Sequence, residues 1–241
     1  MTSPTPTFYS SRLRPCPYLP DRRERTVATK LAGSGARDLY DIASRTGFRR
    51  SHDILYRPAC PECDACVPVR VLAREFETSK SMRRVLAVNA DVECGDVEFS
   101  ERPPRASEEQ YRLFMRYLWA RHGDGGMHRM DFEDYRAMVE DSPVQTALAE
   151  FRSPAGALVG ALLADRLGDG LSAVYSFFDP ELSRQSLGTY MLLRLIEWTR
   201  RLDLPYVYLG YWIAESPKMA YKARFRPLEA LGPEGWRALE G

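Results

Sequence analysis

The chain has 241 residues, 44% apolar and 28% charged; that is enough length and apolar content for a buried core and excludes a disordered protein. No apolar run approaches the roughly 20 residues needed to span a bilayer, and the opening M-T-S-P-T-P-T-F-Y has no apolar signal-peptide core, so a cytoplasmic protein without a membrane partner is expected. Net charge is only +1, yet residues 1–90 hold 16 Lys/Arg against 9 Asp/Glu, while residues 91–180 hold 9 against 17; a basic first part suits a polyanionic partner.

Residues 1–11 are rich in Ser, Thr and Pro and read as a lead segment. In R-L-R-P-C-P-Y-L-P-D-R-R-E-R-T the prolines fix φ and remove donors, so a basic loop is expected there. A helix over 37–46 puts Leu39, Ile42 and Ala43 on one face and stops at Gly47. A short strand over 53–56 leads into C-x-x-C-x-x-C. A second strand over 66–72 contains Pro68, which argues for a sheet edge. A basic helix is expected over 79–90.

Five cysteines in a cytosolic chain do not read as disulfides. Cys60, Cys63 and Cys66 have chelating spacing, and Cys16 on its own loop is the natural fourth ligand for zinc or an iron–sulfur cluster. The alternative is a set of reduced structural or redox-sensitive thiols. Cys94 looks like a small strand residue.

From residue 91 the pattern predicts a strand over 92–99, helices over 107–121 and 131–140, and strands over 144–151, 158–166 and 171–178. A helix over 187–202, a strand over 206–212, a short helix over 217–223 and a final extended piece follow. Ser107 with Gln110 makes a capping box, and Asp131 is a second N-cap. Alternation of this kind builds a mixed α/β sheet. His122 and His128 lie in a glycine-rich stretch over 120–130; either is a candidate general base, against the plainer reading that it only packs.

Ser186, Leu187, Gly188 and Thr189 open the helix over 187–202, with Arg184 beside them. A helix start offers unpaired amides and a positive dipole end to an anion such as a phosphate. Near the C-terminus, aromatic residues interleave with Lys218, Lys222, Arg224 and Arg226, the mixture used on single-stranded nucleic acid. A buried aromatic strand followed by a solvated basic helix would read the same way. Lys218, Tyr221 and Lys222 stand at i, i+3 and i+4, which on a helix would put them on one face.

Gln185-Ser186-Leu187-Gly188-Thr189 resembles the pyrophosphate loop of GNAT acyltransferases, and the order of elements is similar to that fold. The departure is Tyr190, where those enzymes carry Gly or Ala. C-P-Y-L-P, G-F-R-R-S, L-Y-R-P before C-x-x-C-x-x-C-V-P-V-R, V-Y-S-F-F-D-P, S-L-G-T-Y, Y-L-G-Y-W-I and K-M-A-Y-K-A-R-F-R-P-L-E together resemble the arginyl-tRNA–protein transferase family over nearly the whole chain, and its bacterial branch above all.

That resemblance implies an N-terminal cysteine-bearing domain over 1–100 and a GNAT-like domain over 101–241. It implies transfer of an amino acid, leucine before arginine, from aminoacyl-tRNA to the N-terminal amine of a protein beginning with Asp or Glu, which marks that protein for degradation. A tRNA 3′ end in place of acetyl-CoA accounts for Tyr190. The aminoacyl ester is already activated, so the reaction itself requires no cofactor and no covalent nucleophile. The expected tRNA-binding set is Arg184, Ser186, Gly188, Thr189, Lys218, Tyr221 and Lys222. Arg70, Arg83, Arg84 and Arg224 are the candidates for the acceptor's carboxylate, because arginine pairs with it bidentately. The competing readings are a small-molecule N-acetyltransferase on the same fold and an RNA-binding metal module without activity.

Overall fold

The computed structural model describes residues 6–95, 97–100, 102–121 and 130–240. The chain opens with short strands β1 (Tyr9–Ser10), β2 (Arg14–Pro15) and β3 (Arg23–Glu24), then β4 (Thr26–Lys30), α1 (Ala36–Arg45), β5 (Arg49–Ser51) and β6 (Ile54–Pro58). Next come β7 (Val67–Leu72), α2 (Lys80–Val88), β8 (Glu93–Cys94), α3 (Glu108–Arg121) and α4 (Phe132–Glu140). Three long strands follow, β9 (Thr146–Arg152), β10 (Leu158–Leu167) and β11 (Gly170–Phe178). A 3-10 turn (Pro180–Gln185) leads into α5 (Leu187–Arg201) and β12 (Tyr206–Trp212). The chain ends with α6 (Pro217–Ala220), a second 3-10 turn (Tyr221–Arg224) and the hairpin of β13 (Leu228–Gly232) and β14 (Gly235–Ala238). His122 and His128 lie outside the described residues.

The main sheet has the order β14-β13-β7-β12-β11-β10-β9-β8, and a smaller one has the order β1-β4-β6-β5. Among the described residues only β11 and β12 pair in parallel in the main sheet. This is a mixed sheet flanked by helices, as the element order predicts. Local signals explain most boundaries. Ser107 Oγ accepts from the Gln110 amide at 3.2 Å and Gln110 Oε1 accepts from the Ser107 amide at 2.9 Å, so the expected capping box starts α3. Asp131 and Asp134 make a second such box at α4.

Helices cover both faces of the central strands. On one face α5 buries Leu187, Met191, Leu195 and Ile196, and α2 buries Met82, against Leu162, Leu171 and Val207. On the other, α3 and α4 bury Phe114, Leu118 and Tyr135 against Ala161 and Phe177. Tyr190 belongs to the first cluster. It is 5% exposed, packs edge-on against Phe151 and donates to the Val92 carbonyl at 3.3 Å.

The two sheets are tied by a buried ion pair. Arg50 of β5 donates through Nε and Nη2 to both oxygens of Asp165 on β10, at 2.6 and 2.7 Å. Both side chains are fully buried, and Tyr40 and Thr146 add hydroxyl donors to the same carboxylate.

Four expectations change. Pro68 is not at an edge: β7 lies between β12 and β13. The sheet tolerates this proline because the β13 ladder spans only Val69 to Val71, so no donor is missing from it at Pro68. The strand expected over 92–99 pairs with β9 only at Glu93 and Cys94, and leaves the edge at Gly95, a residue that weakens strands. The loop around Cys16 contains the short β2–β3 ladder. The loop before α5 is the 3-10 turn, whose Asp179 caps the Glu181 amide.

Candidate active site

The parallel pairing of β11 with β12 is short. It covers Gly170–Tyr206, Leu171–Val207 and Ser172–Tyr208, after which the two strands part and leave a cleft between their C-terminal halves. On its other side β12 shifts register against β7 between Tyr208 and Gly210, and Gly210 adopts φ +76. That irregularity turns β12 away from β11.

Arg49 of β5 fills the throat where the strands separate. Its Nη1 donates to Ser172 Oγ at 2.9 Å and its Nη2 to the Ala173 carbonyl. A Cβ on Gly210 would lie 2.8 Å from Arg49 Nε, so both the positive φ and the guanidinium require glycine here. Successive residues of a strand face opposite ways. Arg49 therefore reaches the throat while Arg50 reaches Asp165.

Lys222 is the second cation at this point. It is 7% exposed, and its Nζ donates to the Tyr211 carbonyl at 2.6 Å and approaches Met219 Sδ at 3.7 Å. Burial first, then repulsion from Arg49, pushes its amine down to about 7, with Cys66 acting the other way. Phenols from three elements gather near Arg49: Tyr117 of α3, Tyr175 of β11 and Tyr221. Burial raises all three, and Tyr117 is the next contributor for both Tyr175 and Tyr221, which places these rings as neighbours. Phe178, at the end of β11, packs 5.0 Å from the Tyr117 ring and supports the start of α5. A Cβ on Gly188 would meet the Phe178 ring at 3.0 Å.

The residues singled out from the sequence fall in several places. Arg184, Ser186, Gly188 and Thr189 do come together at the start of α5. Ser186 is the N-cap in the left-handed region, φ 53, and both Ser186 and Arg184 are exposed. Lys218, Tyr221 and Lys222 do not share one face, because the helix tightens to a 3-10 turn after Ala220: Lys218 is exposed, Tyr221 half-buried and Lys222 buried.

The four arginines do not converge. Arg70 is committed to Glu229 at 2.7 Å, stacks 3.6 Å from the Tyr206 ring centroid and 4.3 Å from that of Trp236, and donates to the Tyr208 hydroxyl. Arg83 and Arg84 are exposed on α2. Arg83 borders a groove with Arg200 and Arg201, at the end of α5 about 20 Å from its start. Arg224 is exposed, beside Tyr221.

Cys16, Cys60, Cys63 and Cys66 all border one cavity of about 600 Å³ beneath the β2–β3 ladder. Burial first, then Cys60, Cys16 and Cys63, pushes the Cys66 thiol up to about 12, as expected of clustered thiols. They do not form a ligand set, however. Among the described residues no three His, Cys, Asp or Glu side chains gather to hold a metal ion. Cys60 Sγ is instead engaged with the Arg25 backbone at 3.5 and 3.7 Å. The described arrangement of these thiols therefore lends no support to zinc or an iron–sulfur cluster.

Sequence reasoning passed over Arg49 and Tyr117. The signal for Arg49 was the arginine doublet of G-F-R-R-S, where a strand must send the two guanidinium groups to opposite sides. Tyr117 lies within an ordinary amphipathic helix and carries no such signal.

Among the described residues no helix is long and apolar enough to cross a membrane. Residues 14–84 match the family model for the N terminus of arginine-tRNA-protein transferase, and residues 109–232 match the model for its C terminus. The chain is 54% identical to the aspartate/glutamate leucyltransferase of Paramagnetospirillum magneticum, over 95% of this chain and 92% of that one. It is 52% identical to the protein of that name from Gluconacetobacter diazotrophicus (97% and 88%) and 53% identical to that of Rhodospirillum rubrum (97% and 93%). Among solved structures it is similar to L-PGS from Bacillus licheniformis, at a TM-score of 0.48 and 14% identity over 77% of this chain and 54% of that one. FemX gives 0.43 and 10% over 77% and 62%. With both family models matched in order and relatives above 50% identity along nearly its full length, the chain belongs to the arginine-tRNA-protein transferase family.

Proposed function

We propose that this enzyme transfers leucine from leucyl-tRNA to the N-terminal amine of proteins that begin with aspartate or glutamate. The carrying observation is the end-to-end similarity to relatives bearing that activity in their name. The reaction belongs in the cytoplasm, where charged tRNA is available.

The cleft between β11 and β12 receives the aminoacyl end. The start of α5, with Arg184, Ser186, Gly188 and Thr189, meets its phosphate, because a helix start favours anions. Lys218 and Tyr221 flank the entrance for the same strand. Residues 1–100 serve as the acceptor-side unit and residues 101–241 as the donor-side unit, with β7 as their shared strand.

The acceptor nitrogen attacks the ester carbonyl carbon. A C–N bond forms, the ester C–O bond breaks, and the proton lost by nitrogen ends on the ribose oxygen. The α-amine titrates near 8, so a useful fraction is neutral without a strong base. Alignment of amine and ester supplies most of the acceleration. Tyr117, Tyr175 and Tyr221 hold their protons, since burial raises all three. They therefore donate hydrogen bonds to the oxyanion rather than accept a proton.

The test offers purified enzyme labelled leucyl-tRNA or arginyl-tRNA with peptides beginning with Asp, Glu, Lys or Ala. Label should pass from leucyl-tRNA to the Asp and Glu peptides. Transfer from arginyl-tRNA alone would replace the donor, and no transfer from either would end this reading.

A further inference from the structure

The throat of the cleft holds two cations without an anion. Arg49 donates only to a hydroxyl and a carbonyl, and Lys222 only to a carbonyl with a thioether nearby. Among the described residues neither is paired with a carboxylate. Charge held away from water with no counter-charge is costly: Arg49 is half-buried, and the buried Lys222 is driven toward its neutral amine, which an arriving anion would reverse. Arg50, one residue away, shows the alternative: its charge is met by Asp165 within the protein. The throat is therefore built for an anion that arrives with a substrate.

We infer that Arg49 and Lys222 form the seat for the side-chain carboxylate of the acceptor's first residue, a reading that rests on the leucyl transfer proposed above. The phosphate of the tRNA end does not fill this role. Arg49 touches β11 at Ala173, and α5 begins beyond Phe178, five residues further along the strand and about 16 Å away. A phosphate held at the start of α5 is out of reach of the throat, whereas an acceptor entering from the other side meets it first. A cavity borders the throat on that side through Tyr211. The cavity beneath the β2–β3 ladder is lined by Tyr56, Cys66 and Tyr211, and Lys222 binds the carbonyl of Tyr211.

The two cations also divide the work. Arg49 is fixed by Ser172 and Ala173, while Lys222 carries its ammonium on a flexible stem. A fixed guanidinium with a movable ammonium accommodates carboxylates one methylene apart, so one seat accepts both Asp and Glu. With Lys222 buried and Arg49 half-buried, an amide in place of the carboxylate is a poor ligand, since neither basic group would then gain a counter-charge.

The experiment compares kcat/KM for peptides beginning with Asp, Glu, Asn and Gln, with leucyl-tRNA affinity measured separately. The enzymes are wild type, Lys222→Met and Lys222→Gln, with thermal unfolding used to establish that each variant is folded. The Asp-over-Asn ratio should fall about tenfold to a hundredfold in both variants, the range expected for a hydrogen bond to a charged group. Leucyl-tRNA affinity should stay within about twofold. An unchanged Asp-over-Asn ratio overturns the seat, and so does a loss of tRNA affinity shared by all four peptides. Wild-type enzyme that transfers leucine to none of them defeats the function itself, so the two failures are distinguishable.

Discussion

Lys222 shows what a buried charge does to the folded chain. Its amine stays charged up to 10.5 when unfolded but only up to about 7 when folded. Between those limits the unfolded state binds one proton more, so stability rises with pH across this window. The penalty is full below about 7 and fades toward 10.5. Lys222→Met should therefore stabilise the protein by roughly 2–5 kcal/mol at pH 6, less about 1 kcal/mol for the lost donor to the Tyr211 carbonyl. The gain should vanish near pH 10.5. Denaturant melts at both pH values measure it, and an equal difference at both would show that desolvation of the amine is not the cause. The sequence displayed Lys222 and Arg49 as two cations among many. Their separation from the exposed Lys218 and the paired Arg70 was not legible, because it depends on a 3-10 turn and on partners more than a hundred residues away. Capping signals such as Ser107–Gln110 were legible because both partners lie within one turn.

Between elements, the Arg50–Asp165 pair joins β5 of the small sheet to β10 of the large one and is fully buried. Asp165→Asn leaves the guanidinium uncompensated and should cost about 3–5 kcal/mol. The midpoint of urea unfolding should fall accordingly, and a loss below about 1 kcal/mol would mean that water reaches Arg50. Strands β10, β11 and β12 were legible from their apolar and aromatic runs, and α5 from its spacing, because each buries a regular face. The edge assignment of β7 failed for a definable reason. Pro68 argues against a partner only where a ladder bond would need its missing donor, and the extent of the β13 ladder is a tertiary fact.

At the scale of the molecule, β7 is flanked by β12 on one side and β13 on the other, so a strand from residues 67–72 is enclosed by strands from residues 206–212 and 228–232. Pairings this distant in sequence slow folding. A chain ending after Phe225 lacks β13 and β14 and uncovers an interior strand edge, a template for aggregation. It should be recovered mostly as insoluble material, and a soluble, cooperatively melting product would show that the hairpin is dispensable. Trp236 on β14 also stacks on Arg70 of β7, so the last strand closes over one of the first made in the main sheet. On the ribosome this enclosure has an order. The cysteine-bearing half leaves the exit tunnel long before the strands that will flank β7 have been translated. The native sheet therefore closes only once β12 and β13 have emerged, and a chain stalled before them exposes the unfinished edges of β7 to the quality-control machinery.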